Sequence, residues 1–458
     1  MNRRKFIKMT SAGSLAIAAG PAVWSIHASD WEERPCPFET YRKGRTMVPI
    51  VKVTPDDGYY IHTFYDECPW SPDGRYLLVT RLPYQKKKPR WGDTAEICLI
   101  DLSGQTIRKI YETRAWSFQL GANAQWSDVS SRYVYINDLI NNVPVCVRID
   151  ITSGKILAYA GPKYDISPNG QWVAGPNLNY VNITQYGYSL PDPPSGIPHQ
   201  LKKSQMDTEG LWLTDLQTNE KKLLASMNDL YRQCIPEDQN FYKDGVYYAF
   251  HTKFNSQSSR IMQVFRCLFN GEGRHASLFT LDTDGNNIVQ CLSRNKWNQK
   301  AELGGSGNHP NWHPDGDHII MNTIPTWQGY KNMRFSMFKH DGSEFQVLSE
   351  KHLGSGHPRV DPQTKYLIAD AYRKQTYVTK NDEIPIRFID LASDREYTLC
   401  TISNDVGNKG KMYSDEGGSQ FKLDPHPTWN RNYSEVCFNG APEGKRQVFI
   451  ADIASIVN

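Results

Sequence analysis

Ile97-Cys98-Leu99-Ile100-Asp101-Leu102-Ser103-Gly104 reads as the end of a β-strand running into a turn: four apolar residues, an acid, then serine and glycine. The pattern returns as Val147-Arg148-Ile149-Asp150-Ile151-Thr152-Ser153-Gly154 and as Leu211-Trp212-Leu213-Thr214-Asp215-Leu216. Leu278-Phe279-Thr280-Leu281-Asp282-Thr283-Asp284-Gly285 and Phe335-Ser336-Met337-Phe338-Lys339-His340-Asp341-Gly342 are the next two copies. Ile386-Arg387-Phe388-Ile389-Asp390-Leu391 and Val448-Phe449-Ile450-Ala451-Asp452-Ile453 complete seven, spaced about 50–67 residues apart. Upstream of most copies lies a second marker, as in Cys68-Pro69-Trp70-Ser71-Pro72-Asp73-Gly74, Tyr164-Asp165-Ile166-Ser167-Pro168-Asn169-Gly170 and His309-Pro310-Asn311-Trp312-His313-Pro314-Asp315-Gly316. Pro-Asp-Gly and Pro-Asn-Gly are hairpin-turn chemistry.

Each unit therefore predicts an inner strand, a hairpin, a middle strand and an outer pair. Seven such blades predict an all-β, seven-bladed β-propeller over residues 29–458, with a tandem of β-sandwiches as the competing architecture. Only five residues follow Ile453, too few for a fourth strand. Met47-Val48-Pro49-Ile50-Val51-Lys52-Val53 is expected to pair onto the last blade, closing the ring with an N-terminal strand and removing its exposed edge. The composition agrees: 12 Trp and 25 Tyr favour strands, 33 Gly and 27 Pro punctuate turns, and 458 residues exceed one ordinary core. Collagen, coiled coil and disorder are excluded.

Arg3-Arg4-Lys5-Phe6-Ile7-Lys8 precedes a mild apolar run from Ala12 to Trp24, and His27-Ala28 offers a small cleavage position. Residues 1–28 are expected to be a twin-arginine signal peptide exporting the protein to the periplasm, with no stable membrane insertion after its removal. Without it, 52 basic against 49 acidic residues becomes 48 against 49, so no nucleic-acid partner is expected. The nine cysteines are scattered with no C-x-x-C pair, so neither a disulfide framework nor a thiolate zinc site is spelled out. A monomer is expected.

Propellers gather the starts of their inner strands around one funnel. His309-Pro310, His357-Pro358 and His426-Pro427 open the fifth, sixth and seventh units, Asn123-Ala124-Gln125-Trp126 opens the second, and His251 stands in Phe250-His251-Thr252-Lys253-Phe254 of the fourth. Imidazoles from adjacent blades converging on one axis suit a divalent metal, which makes His309, His357 and His426 the candidate ligands. Set against this, each histidine could simply cap a strand. Tyr186-Gly187-Tyr188 lies in a long insert beside Pro191-Asp192-Pro193-Pro194, the length of a site loop. Lys86-Lys87-Lys88-Pro89-Arg90 is a basic turn of the kind that is usually just solvated. No G-x-S-x-G elbow, H-E-x-x-H or phosphate-cradling glycine motif is present.

These residues carry a resemblance. Gln125-Trp126, Tyr186-Gly187-Tyr188, the Phe-His segment at His251, the His-Pro openings at His309 and His357, and the run from His426-Pro427-Thr428-Trp429 to Gln447-Val448-Phe449 resemble the seven-bladed polysaccharide lyases. That group includes oligogalacturonate, ulvan and rhamnose–glucuronate lyases. The oligogalacturonate type implies His251 as the base and His309 and His357 as metal ligands. The ulvan type emphasises Tyr188 and the second-blade opening, where this chain has Asn123 in place of an expected histidine. The resemblance implies cleavage at C4 of a uronic acid by β-elimination, on an acidic polysaccharide or oligosaccharide, with a divalent ion such as Mn, Ca or Zn.

Removal of the weakly acidic C5 proton requires a base, a neutralised carboxylate and a proton donor for the leaving oxygen. His251 and Tyr188 are the candidates for base and donor, and Arg232, in the same unit as His251, for depressing its pKa or pairing the carboxylate. Asn123, Gln125 and Tyr186 are the candidates for substrate binding. The rival reading is a non-catalytic periplasmic propeller that binds a partner or sugar without turnover.

Overall fold

The structure, a computed structural model, describes residues 22–26, 31–43, 46–269, 274–297, 309–372, 383–407, 421 and 423–457. Seven antiparallel sheets follow one another along the chain; in four the strands are hydrogen-bonded in sequence order, and the other three add strands from the N-terminal region at the outer edge. The chain is an all-β, seven-bladed β-propeller. The fourth blade is the most regular, with Val246–Phe254, Arg260–Leu268, His275–Asp282 and Val289–Leu292 in order from the axis outward. In the seventh, Thr428–Trp429, Glu435–Gly440 and Gln447–Asp452 come from the end of the chain and the next strand, Ile50–Lys52, from its beginning. It runs antiparallel to Gln447–Asp452, with Ile450 opposite Val51. Most of the expected leader lies outside the described residues; within it, Ala22–Ser25 pairs with Lys155–Ala158 at the edge of the second blade.

The acid that marks each repeat has a local task. Asp101, Asp150, Asp215 and Asp390 each end a third strand and accept hydrogen bonds from the backbone N–H groups two and three residues on, at 2.7–3.1 Å. The short acidic side chain thereby replaces the sheet ladder as the chain reverses. Arg75 and Arg132, from the neighbouring hairpin, clamp Asp101 and Asp150. These bonds and the Arg75 charge hold the Asp101 carboxyl down at about 2 against the opposing effect of its partial burial.

Four of the blades carry a tryptophan near the end of the inner strand. Trp70, Trp126, Trp312 and Trp429 are all buried. The Trp126 indole donates to the Pro69 carbonyl and the Trp312 indole to that of Lys253, each 2.9 Å away in the preceding inner strand. All nine cysteines are free thiols, eight of them buried as small apolar side chains.

One blade departs from the repeat in a way that shapes the axis. In the first, Ile61 pairs with Thr80 and Trp70 bridges Leu77. Eight residues, 62–69, therefore stand against only two on the partner strand, and the surplus forms a plug across the channel. The plug is bonded to five other blades: Thr63 Oγ1 to the Ala124 carbonyl, Tyr65 OH to that of Pro310, and Arg359 Nη1 to that of Tyr65. Thr428 Oγ1 donates to the Glu67 carbonyl, and the Lys253 ammonium meets Asp66 at 2.6 Å.

Candidate active site

Counting back three residues from each inner-strand anchor (Trp70, Trp126, Ile166, Phe254, Trp312, Val360, Trp429) gives Glu67, Asn123, Lys163, His251, His309, His357 and His426. From the second blade onward these are equivalent positions at one mouth of the channel, and four consecutive blades place histidine there; in the first, where the plug intervenes, Glu67 lies toward the other mouth. Asn123, His251, His309 and His426 all adopt left-handed backbone, with φ of +50°, +39°, +48° and +50°. Non-glycine residues in that region carry a conformational cost, and repeated strain at one ring of positions is a mark of a functional constraint. At the sixth blade the same turn falls on Gly356, φ +63°, where an added Cβ would lie 2.1 Å from Asp370 Oδ1.

The imidazoles converge. The His309 and His357 rings are 3.9 Å apart between centroids and the His357 and His426 rings 4.4 Å. Phe64 and Tyr65 of the plug pack against them: Phe64 lies 4.5 Å from His426 and 5.5 Å from His251, and Tyr65 5.0 Å from His357. Asp370 holds His357 by its Nδ1, at 2.8 Å, and by its backbone N–H, while accepting the His426 N–H at 3.2 Å. One carboxylate thus orients two ring histidines, the outer-shell arrangement that fixes a metal-ligating imidazole.

His357, Asp424 and His426 are all buried, and their ligand atoms lie within 4.8 Å of one another. Two imidazoles and a carboxylate suit a borderline or hard divalent ion. The set shares His357 and His426 with the expected ligands and adds Asp424; the His309 Nδ1 is engaged by the Tyr372 hydroxyl at 2.7 Å and the Gly356 carbonyl at 2.9 Å. Asp424 has a sequence signal, Asp-Pro-His-Pro, but it lies two residues before the histidine and outside the His-Pro repeat.

His251 is 3% exposed, stacks on Phe250 at 3.8 Å and lies 6.3 Å from Tyr188, itself buried. Burial, and then the charges of Lys253 and Arg266, push its pKa well below the ordinary value, so the ring is neutral near pH 7. Its Nε2 is buried without a hydrogen-bond partner among the described residues. These are the properties of a waiting base.

Other expected residues fall elsewhere. Arg232 ends the short helix Met227–Arg232, with its side chain 60% exposed and paired with Asp207 and Asp229. A six-residue helix capped by Ser226 turns it to solvent, and the cations that act on His251 are Lys253 and Arg266 instead. Asn123 stays at the ring but spends its amide on the Tyr164 carbonyl, 2.9 Å away. Tyr186 bonds Asp192 at 2.8 Å beside a separate small cavity within its own loop. Gln125 bonds Asp165 and the Ile166 N–H beyond the plug. There a second cavity of about 520 Å³ opens at the opposite mouth, lined among others by Asp66, Glu67, Asp165, Lys253 and Arg359. Burial raises the Glu67 carboxyl well above its usual range and the Asp165 carboxyl to about 6.

Among solved structures the chain is similar to an oligogalacturonate lyase in complex with manganese, at 15% identity and a TM-score of 0.64, over 92% of this chain and 98% of that one. It is similar also to the oligogalacturonate lyase of Vibrio parahaemolyticus, at 14% identity and a TM-score of 0.62, with the same coverage. At such identity the likeness establishes the shared propeller. No protein-family profile matches the chain, and no curated protein matches it.

Proposed function

We propose that the protein is a polysaccharide lyase that cleaves at C4 of a uronic acid residue by β-elimination. The observation that carries this reading is the meeting, at one channel mouth, of a neutral buried histidine and a tyrosine with the His357–Asp424–His426 set. The resemblance to oligogalacturonate lyases supports it.

Elimination needs three things from the chain. His251, through Nε2, takes the C5 proton; its ring is fixed between Phe250 and Phe64, so its aim is set before substrate arrives. The C5–H electron pair becomes the C4–C5 double bond as the C4–O bond breaks, and Tyr188 delivers a proton to the departing oxygen. The resulting histidinium and tyrosinate are restored by proton exchange. A divalent ion held by His357, Asp424 and His426 would supply the positive charge that neutralises the uronate carboxylate and acidifies C5. Asp370, by taking Nδ1 of His357, leaves Nε2 as the ligating nitrogen.

Two measurements test the reading. Metal content after dialysis should be stoichiometric in the wild type and fall sharply in His357→Ala and Asp424→Asn; equal content in all three, or none, rejects the metal set. Mass analysis of products from uronic-acid oligosaccharides should show one fragment lacking a water relative to hydrolysis. A full water taken up per cleavage would make the enzyme a hydrolase.

A further inference from the structure

Arg266 and Arg274 bring two positive charges to the fourth blade, and among the described residues no acid meets them. Arg266 stands in Arg260–Leu268, opposite Tyr248, and is 6% exposed. Its hydrogen bonds go to neutral oxygens, Nη1 to Thr184 Oγ1 at 3.3 Å and Nη2 to Gln185 Oε1 at 2.6 Å. Its Nε is buried without a partner among the described residues. Arg274, exposed at the rim, donates to the same two residues, the Thr184 carbonyl and Gln185 Oε1. Among the described residues neither guanidinium forms an ion pair, whereas the buried Arg387 closes on Glu396 and the buried Lys253 on Asp66. A buried cation normally requires such a partner, and two like charges sharing Thr184 and Gln185 repel each other as well.

The place of the pair matters. The Arg266 guanidinium carbon lies 3.5 Å from the Phe250 ring centroid and the His251 ring 3.8 Å from it. Two groups that near one centroid must occupy opposite faces, so Phe250 separates the cation from the base. Tyr188 is within electrostatic reach of both guanidiniums. The His357–Asp424–His426 set belongs to the sixth and seventh blades, with the fifth between. His251 therefore stands between two poles, each suited to a negative group.

We propose that Arg266 and Arg274 form a subsite for an oxyanion, a carboxylate or a sulfate ester, on a sugar adjoining the one that loses its C5 proton. The inference rests on the reading of this mouth as a carbohydrate site and deepens it: the substrate carries two acidic groups on neighbouring residues, one held at each pole. Planar guanidiniums bind carboxylate and sulfate through paired N–H groups, and the rim position of Arg274 gives the ligand its way in.

The test measures binding by the full-length protein. Inorganic sulfate, a mono-uronide, a di-uronide and a sulfated uronide disaccharide are titrated calorimetrically into wild type, Arg274→Gln, Arg266→Lys and the remote control Arg75→Gln. Sulfate should bind saturably to wild type and to the control, and about tenfold or more weakly to Arg274→Gln, the fold-change of one charge-assisted hydrogen bond. The di-uronide or the sulfated disaccharide should bind at least about tenfold more tightly than the mono-uronide, with the advantage lost in Arg274→Gln. Whichever of the two loses more names the natural oxyanion. Unchanged sulfate and disaccharide binding in Arg274→Gln overturns the subsite, and because that side chain is at the rim the result stands even if Arg266→Lys fails to fold. Sulfate binding that depends on the pair, with no uronide ever cleaved, keeps the subsite and removes the lyase. Cleavage with sulfate response and KM untouched in Arg274→Gln does the reverse.

Discussion

Replacing Asp66 by asparagine should be among the more damaging single-atom changes available to this fold. Asp66 lies on the plug and meets the Lys253 ammonium at 2.6 Å, with the two side chains 8% and 5% exposed. Lys253 also donates to Tyr65 OH at 3.1 Å and the Pro310 carbonyl at 2.8 Å, so one side chain ties the plug to the fourth and fifth blades. Asparagine preserves shape and removes the charge, leaving a buried ammonium among neutral oxygens. Breaking a buried pair from one side costs about 3–5 kcal/mol. With about 2.1 cal/mol/K of unfolding entropy per residue, a chain of this length has close to 1 kcal/mol/K, so Tm should fall by about 3–5 °C. Burial already lowers the Lys253 pKa. Without Asp66 it should fall further, and the deficit should shrink as pH rises and the amine sheds its proton. Thermal unfolding of Asp66→Asn and of the double variant Asp66→Asn/Lys253→Met, across neutral to alkaline pH, checks this. The double variant should recover most of the loss. A single variant within about 1 kcal/mol of wild type, at the level of a surface ion pair, would refute the reasoning.

Three further outcomes are expected. His62 is fully buried and burial pushes its pKa down to about 4; between pH 6.5 and 4 the unfolded chain binds a proton that the native state refuses, so stability is lost as pH falls through that window, by up to about 3 kcal/mol. Denaturant titrations of His62→Leu should show a flatter acid limb. A chain beginning at Pro55 lacks Ile50–Lys52, exposes the edge of Gln447–Asp452 and should melt well below the mature protein; equal melting would show that the pairing carries no stability. Expression in a bacterium with twin-arginine transport should give a periplasmic product whose N-terminal residue lies near position 29, and Arg3→Lys/Arg4→Lys should keep it in the cytoplasm.

The blades were legible in the sequence because two local devices recur among them: a strand ended by an acid that bonds the next turn, at four blades, and a hairpin built on proline, glycine and asparagine or aspartate, at three. The ring of histidines was legible for the same reason, since strand register carries equivalent positions to one mouth. What escaped was whatever breaks the repeat. The Phe64-Tyr65 plug is an eight-residue excursion against two, invisible until the partner strand is known. Asp424 joins His357 across about 67 residues of chain, a proximity set by adjacent blades and not by spacing. Arg232 is a candidate from sequence only because it precedes His251 in the same unit, yet a capped helix turns it outward, while Arg266, one strand further on, is brought in by cross-strand pairing.

The most direct test of the account is the appearance of the ultraviolet absorbance of an unsaturated uronide, followed with metal-loaded wild type and His251→Ala of matched fold and metal content on a panel of acidic polysaccharides and oligosaccharides. The account predicts steady absorbance from wild type on at least one of them, and a rate about 10²–10⁴-fold lower from His251→Ala with KM little changed. No unsaturated product from any of them, or an His251→Ala rate equal to wild type, would contradict it.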